Sequence, residues 1–260
     1  MDSLIEVMLK GKGSKISSDF HEPILIPQDV KAQIGVKNFA TFNNIPNVVK
    51  DRNNQLKIKV PGDKQWHIFS LDTGAYELSV IEQQIEEWIM VKFPKLKKVK
   101  EDFSLVGNNA TSKADFCFLD DYGVDFDVNA SMYELLGFDK KDKYEGVGQY
   151  VGKRIVNITN VTQLVFNCNI TASNYINGRK MPFLYNCSVD VPAGYRMGRE
   201  LTNIAYKSLN TAQISHICIW IVDEHGDPVN LRDDDLTITL SLRLTPRAAP
   251  VSLQDVTGAS

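Results

Sequence analysis

The stretch SHICIWIVDEHGDPVNLRDDDLTITLSLRL, residues 215–244, decides the fold. Its second half alternates: Leu236, Ile238, Leu240, Leu242 and Leu244 share one face, with Thr237, Thr239, Ser241 and Arg243 between them. That period of two is the pattern of a half-buried β-strand. Its first half, residues 214–222, is apolar throughout and predicts a central strand buried on both faces. The polar segment between them reads as a turn: Gly226 can take a positive φ, Asp227 tolerates tight geometry, and Pro228 fixes the exit. Asp223, Asp227, Asp233 and Asp235 are the only acidic grouping dense enough to suggest a cation. They lack the fixed ligand offsets of a calcium loop, and no His-x-His accompanies them, so the expectation is a turn without a metal.

The same alternation recurs outward from this stretch. Residues 164–172 and 183–191 carry it on both sides of Asn177-Gly178, a strong hairpin signal. Residues 30–36 alternate Val30, Ala32, Ile34 and Val36 with polar neighbours, and residues 55–60 and 66–71 flank a Pro61-Gly62-Asp63 turn. One segment has helical spacing: Leu78, Ile81, Ile85, Trp88 and Ile89 recur at three- and four-residue steps. Ser79 and Glu82 have capping-box spacing, and Pro94 marks the stop. A shorter helix is predicted after Ser131, ending at Gly137. The sum is an all-β chain, a jelly-roll sandwich of two antiparallel sheets with one or two short helices in connections. Its predicted core includes Phe166, Tyr185, Val189, Trp220, Ile238 and Leu240. A single domain is expected over residues 1–245, followed by a flexible C-terminal tail over 246–260.

Composition excludes several functions. The 260 residues are 43% hydrophobic, enough for a full core, and carry a net charge of −3. The whole molecule is therefore no electrostatic partner for nucleic acid, and sequence-specific nucleic-acid binding is not expected. No apolar run is long enough to span a bilayer, and the N-terminal segment does not read as a secretion signal. The Asn-x-Ser/Thr sequons at Asn109, Asn129, Asn157, Asn160, Asn169 and Asn186 are taken as strand patterning. Cys117, Cys168, Cys187 and Cys218 form no CxxC pair and read as reduced core residues. His21, His67, His216 and His225 are scattered, and His216 is expected to make a core hydrogen bond. The cluster Lys92, Lys95, Lys97, Lys98 and Lys100 reads as a solvated helix end. No nucleophile, metal or phosphate-loop motif occurs, so neither an enzyme nor a cofactor is expected.

Several phrases resemble a known family: KAQIGVKNFATFNNIPNV (residues 31–48), TGAYELSVIEQQI (73–85), VDVPAGYRM (189–197) and the opening stretch itself. They are similar to the minor capsid, or penton-like, single jelly-roll proteins of Maverick or Polinton elements and related adintovirus- and virophage-like DNA viruses. The resemblance implies a structural subunit of an icosahedral shell. It implies a homo-oligomer, a pentamer at the vertex, with a double jelly-roll major capsid protein as neighbour. It also implies a place in the virion after synthesis in the host cytoplasm or nucleus, without secretion. Arg179, Arg196, Arg199 and Asp233, charged and on strand flanks, are the candidate contacts between subunits. A carbohydrate-binding module or a domesticated host interaction module of the same fold is the alternative.

Overall fold

The computed structural model describes residues 3–158, 161–172, 174–176 and 178–247. Strands β1 (Ser3–Lys12), β2 (Lys15–Leu25) and β3 (Val30–Phe42) open the chain. There follow β4 (Gln55–Lys59), β5 (His67–Ser70), helices α1 (Leu78–Lys92) and α2 (Val99–Asp102), β6 (Phe103–Asn108), β7 (Lys113–Phe118), β8 (Gly123–Asp125), α3 (Tyr133–Leu136), β9 (Lys143–Glu145) and β10 (Gly148–Val151). The chain then continues through β11 (Gln163–Cys168), β12 (Asn174–Ile176), β13 (Arg179–Met181), β14 (Phe183–Ser188), β15 (Arg196–Glu200), β16 (Lys207–Ser208), β17 (Gln213–Val222) and β18 (Asp235–Pro246).

The chain divides into two compact units: Met1–Asn43 with Val161–Ser260, and Asn44–Asn160 between them. The first is the sandwich. One sheet runs β1-β18-β3-β15, with β16 also on β3; the other runs β14-β11-β17-β2, and every pairing in both is antiparallel. The sheets face each other where the Phe39 ring meets Phe166 at 5.1 Å and Tyr185 at 6.1 Å. Ile34 and Val36 of β3, Ile217, Ile219 and Ile221 of β17, and Leu236, Ile238, Leu240 and Leu242 of β18 fill the space between. The jelly-roll reading of the sequence therefore describes the sandwich. β18 continues through Pro246, into the expected tail, of which residues 248–260 lie outside the described residues.

Two strands differ from their sequence reading. β17 alternates rather than burying both faces. A register shift between Ile214 and His216 resets its phase, and His216, Cys218 and Trp220 then point away from the core and are only half-buried. Among the predicted core residues, Phe166, Ile238 and Leu240 are fully buried, whereas Tyr185, Val189 and Trp220 are half-buried. In β14 Leu184 and Cys187 are buried on opposite phases, because Leu184 is the extra, unpaired residue of a bulge between Tyr185, opposite Phe166, and Phe183, opposite Asn167. On β18, the outward Thr239 and Ser241 are buried too. The segment between β15 and β16 covers them: the Tyr206 hydroxyl lies 3.0 Å from Ser241 Oγ, and the Arg243 guanidinium stacks 4.1 Å from the Tyr206 ring. Gly35 of β3 lies under the same segment, where a Cβ would run into Ile204.

The inserted unit has its own core. It contains a three-stranded sheet β10-β7-β6 and a four-stranded sheet β5-β4-β8-β9. Ile81, Ile85 and Ile89, the predicted helix stripe, are fully buried among Phe103, Phe116, Phe118, Phe126 and Phe138. The Ser79–Glu82 capping box does not form: α1 starts after Glu77 without a side-chain cap, and Glu82 instead accepts the Leu105 N–H at 2.9 Å, tying the helix to β6. Gly137 closes α3 with φ 78°, as the sequence predicts. Any Cβ there would fall on the Arg154 carbonyl oxygen, a backbone atom that cannot give way cheaply. The ends of the unit are tied together, since the Asn47 side chain donates to the Ile158 carbonyl at 3.0 Å.

Candidate assembly surface

The acidic stretch spends its groups on its own turn. Asp223 Oδ1 accepts the N–H groups of His225 and Asp227, each at 2.9 Å, and Gly226 takes φ 92°. Arg232 and Asp233 both adopt left-handed backbone, φ 52° and 56°, and the Asn230 side chain accepts the Arg232 N–H at 2.8 Å. Among the described residues no group of three or more His, Cys, Asp or Glu is placed to hold a metal ion. His216 is no core residue; its Nδ1 lies 2.8 Å from Asp19 on the outer face of the β2–β17 pair.

Glu224 has the structural role that the sequence concealed. Its carboxylate accepts the Thr162 hydroxyl at 2.6 Å and the N–H groups of Thr162 and Gln163 at 3.2–3.3 Å. It thus fixes the chain where it re-enters the sandwich. Asn43, where the chain leaves, is held in the same way: its side chain donates to Val191 O, and its N–H to Tyr195 O. Partial burial pushes the Glu224 carboxyl up, but the Thr162 hydroxyl and the surrounding N–H donors outweigh it and hold the group below the usual glutamate range. A depressed carboxyl stabilises the fold above its unfolded value near 4.5 and loses that contribution as pH falls through its folded value. Glu224→Gln is therefore expected to cost about 1 kcal/mol at neutral pH. In melting curves recorded from pH 7 down to pH 3, the gap from the parent protein should close with acidification; a constant gap refutes the clamp.

The sandwich has two unlike edges. β1 and β2, joined by the turn at Gly13, each end one of the two sheets and together form one edge. It exposes Leu4, Met8 and Leu25, at 63%, 70% and 69% of their surface. At the other edge β15 and β14 terminate the sheets around a cleft of about 230 Å³, lined by Phe39, Asp190, Val191, Arg196, Met197 and Arg199 among others. Arg196 and Arg199, two of the predicted contact residues, meet here; Arg196 is exposed, and Arg199 pairs with Asp190. Exposed Tyr195 and Phe42 flank them. Asp233 is not part of this group: it sits beside Gly13, in the β1–β2 turn. Arg179 lies in β13, and its side chain is outside the described residues. Leu4 and Met8 were not singled out because they occupy the outward phase of β1, where nothing in the sequence separates an exposed edge from a covered one.

All four cysteines are free, and burial pushes the Cys168 and Cys187 thiols up to about 11, which leaves them protonated at neutral pH. No helix among the described residues is long and apolar enough to cross a membrane.

No protein-family model matches the chain, and no curated protein matches it. Among solved structures, the crystal structure of the selenomethionine-labelled mavirus penton protein is similar. The match covers 94% of this chain and 100% of that one, with a TM-score of 0.50 and 11% sequence identity. At that identity the likeness is one of fold.

Proposed function

We propose that this chain is a structural capsid protein, a penton subunit that closes as a pentamer at the vertices of an icosahedral shell around double-stranded DNA. The observation that carries the reading is the fold likeness to the mavirus penton protein over 94% of the chain, insert included. The phrase resemblance to Maverick, Polinton and adintovirus-like elements points the same way. In this reading the neighbour is a double jelly-roll major capsid protein, the protein is made inside the host cell and ends in the virion, and it catalyses nothing.

The edges supply the physical logic. A ring needs a heterologous contact, in which two different surfaces of one subunit meet on neighbouring copies. The β1–β2 edge offers exposed Leu4, Met8 and Leu25; the β14–β15 edge offers Phe42, Tyr195 and Arg196 around a cleft. One edge against the other leaves both satisfied in a closed ring and none in a monomer, which also removes the unpaired β1 as a template for aggregation. A contact stable without the rest of the shell should bury more than about 1,000 Å².

Light scattering over a concentration series, with and without the cognate major capsid protein, is the test. A pentamer is expected, and Met8→Glu combined with Arg196→Glu should abolish it while leaving the melting temperature within the equivalent of about 0.5 kcal/mol, as usual for exposed positions. A strict monomer even on co-expression, or a trimer, overturns the penton reading.

A further inference from the structure

The inserted unit carries a cleft of its own. α1 ends at Phe93, whose N–H still bonds Ile89 O at 2.8 Å before Pro94 stops the helix. The chain then folds back against the β4–β5 turn, leaving a cleft of about 380 Å³ lined by Val60, Pro61, Phe93, Pro94 and Leu96. Its wall is rigid: the Phe93 ring stands edge-on to His67 at 5.1 Å and to Trp88 at 6.2 Å, and Trp88 is edge-on to Phe69 at 5.7 Å. The rim is basic. Lys92 and Lys95 line the cleft, and Lys97, Lys98 and Lys100 follow within nine residues that contain no acid. All five are exposed. Lys92 Nζ sits 4.8 Å over the Trp88 ring, which holds it at the cleft mouth. The one carboxylate in the lining, Asp63, is already committed to His67 Nε2 at 2.9 Å and to the Gln65 N–H at 2.9 Å.

We propose that this cleft docks an acidic peptide segment of a partner protein, taking one apolar side chain between Phe93 and Pro61 while the lysine rim pairs with the flanking carboxylates. Three features select that occupant. The cleft is apolar and sized for one or two side chains, which suits an anchor residue rather than a polar ligand. The rim is all lysine and no arginine, so it lacks the planar fork that favours bidentate grip on phosphate. The rings of the cleft wall form no row of parallel platforms for successive bases, since Trp88 carries Lys92 over its face and Phe93 stands edge-on to both His67 and Trp88. Charge complementarity then leaves an acidic chain with an apolar anchor. The proposal stands whether or not the sandwich closes into rings.

Fluorescence anisotropy with full-length protein tests it. The probe is a labelled peptide with a central phenylalanine flanked by glutamates on both sides. Binding should weaken by about tenfold or more when the phenylalanine becomes serine, when the glutamates become glutamines, and in Lys92→Glu/Lys95→Glu; raising the salt should weaken it as well. Lys95→Glu/Lys98→Glu gives the same reading without touching the lysine packed on Trp88. Reversing the exposed Lys140 and Lys141, between α3 and β9, should change nothing. Equal binding of the serine peptide, of a DNA oligonucleotide or of anionic vesicles, or an equal loss in the Lys140/Lys141 variant, overturns the proposal, because the surface would then be a general polyanion patch. No binding of the phenylalanine peptide overturns it as well.

Discussion

Phe116→Ala is expected to destabilise the protein by about 3–5 kcal/mol, the range for emptying a large aromatic from a closed core. Phe116 is fully buried on β7, and its ring touches those of Phe138 at 5.7 Å, Phe103 and Phe118 at 5.9 Å, and Phe126 at 6.4 Å. Four rings around one cannot collapse into the gap without leaving their own partners, so the cavity term is paid nearly in full. The same surroundings push the Tyr122 hydroxyl up to about 12, chiefly by burial and then by Asp102 and Asp120. Urea unfolding followed by tryptophan fluorescence in a Trp220→Phe background reports this unit, because Trp66 and Trp88 lie in it and Trp220 lies in the sandwich. A loss below about 1 kcal/mol would mean that the aromatic cluster is loosely packed.

Ile238→Ala should cost about 2–5 kcal/mol in the sandwich. Ile238 stands opposite Leu9 on β1 and Phe39 on β3, and is fully buried. It therefore stands between the edge strand and β3, beside the Phe39 ring that meets Phe166 of the facing sheet. Thr237→Ala, one position along and facing the other way, should stay within about 0.5 kcal/mol, since Thr237 is only half-buried. Equal losses at the two positions would contradict the phase of β18.

That phase was legible because β18 has one polar outer face and one apolar inner face, so the period of two is written directly in the residues. β17 misled for the opposite reason. Cys218 and Trp220 are apolar but point outward, and a bulge between Ile214 and His216 breaks the count, so an alternating strand reads as a doubly buried one. The insert was not foreseen as a unit, because its boundaries carry no linker composition. What closes it is a pair of hydrogen bonds from Asn47, to Tyr76 O at 2.7 Å and to Ile158 O at 3.0 Å, between residues up to 111 positions apart. Glu224 was hidden for a similar reason: its partners, Thr162 and Gln163, precede it by about sixty residues. Arg196 and Arg199 were chosen as candidates from charge and strand flank, whereas the cleft that both line depends on Phe39 and Asp190, which only the folded edge brings to them.

The strand pairing also sets a timetable for synthesis. β1 pairs only with β18, β2 only with β17, and β3 with β15, β16 and β18. The first three strands thus leave the ribosome with no partner among themselves, and none appears until β15. The insert, complete by residue 160, can fold in the meantime. At about 5–20 residues per second, the N-terminal strands wait roughly ten to forty seconds for β18, with Leu4, Val7 and Leu9 unshielded. Closing these sheets is a slow, non-local step. The last of the described strands is the one that completes the sheet.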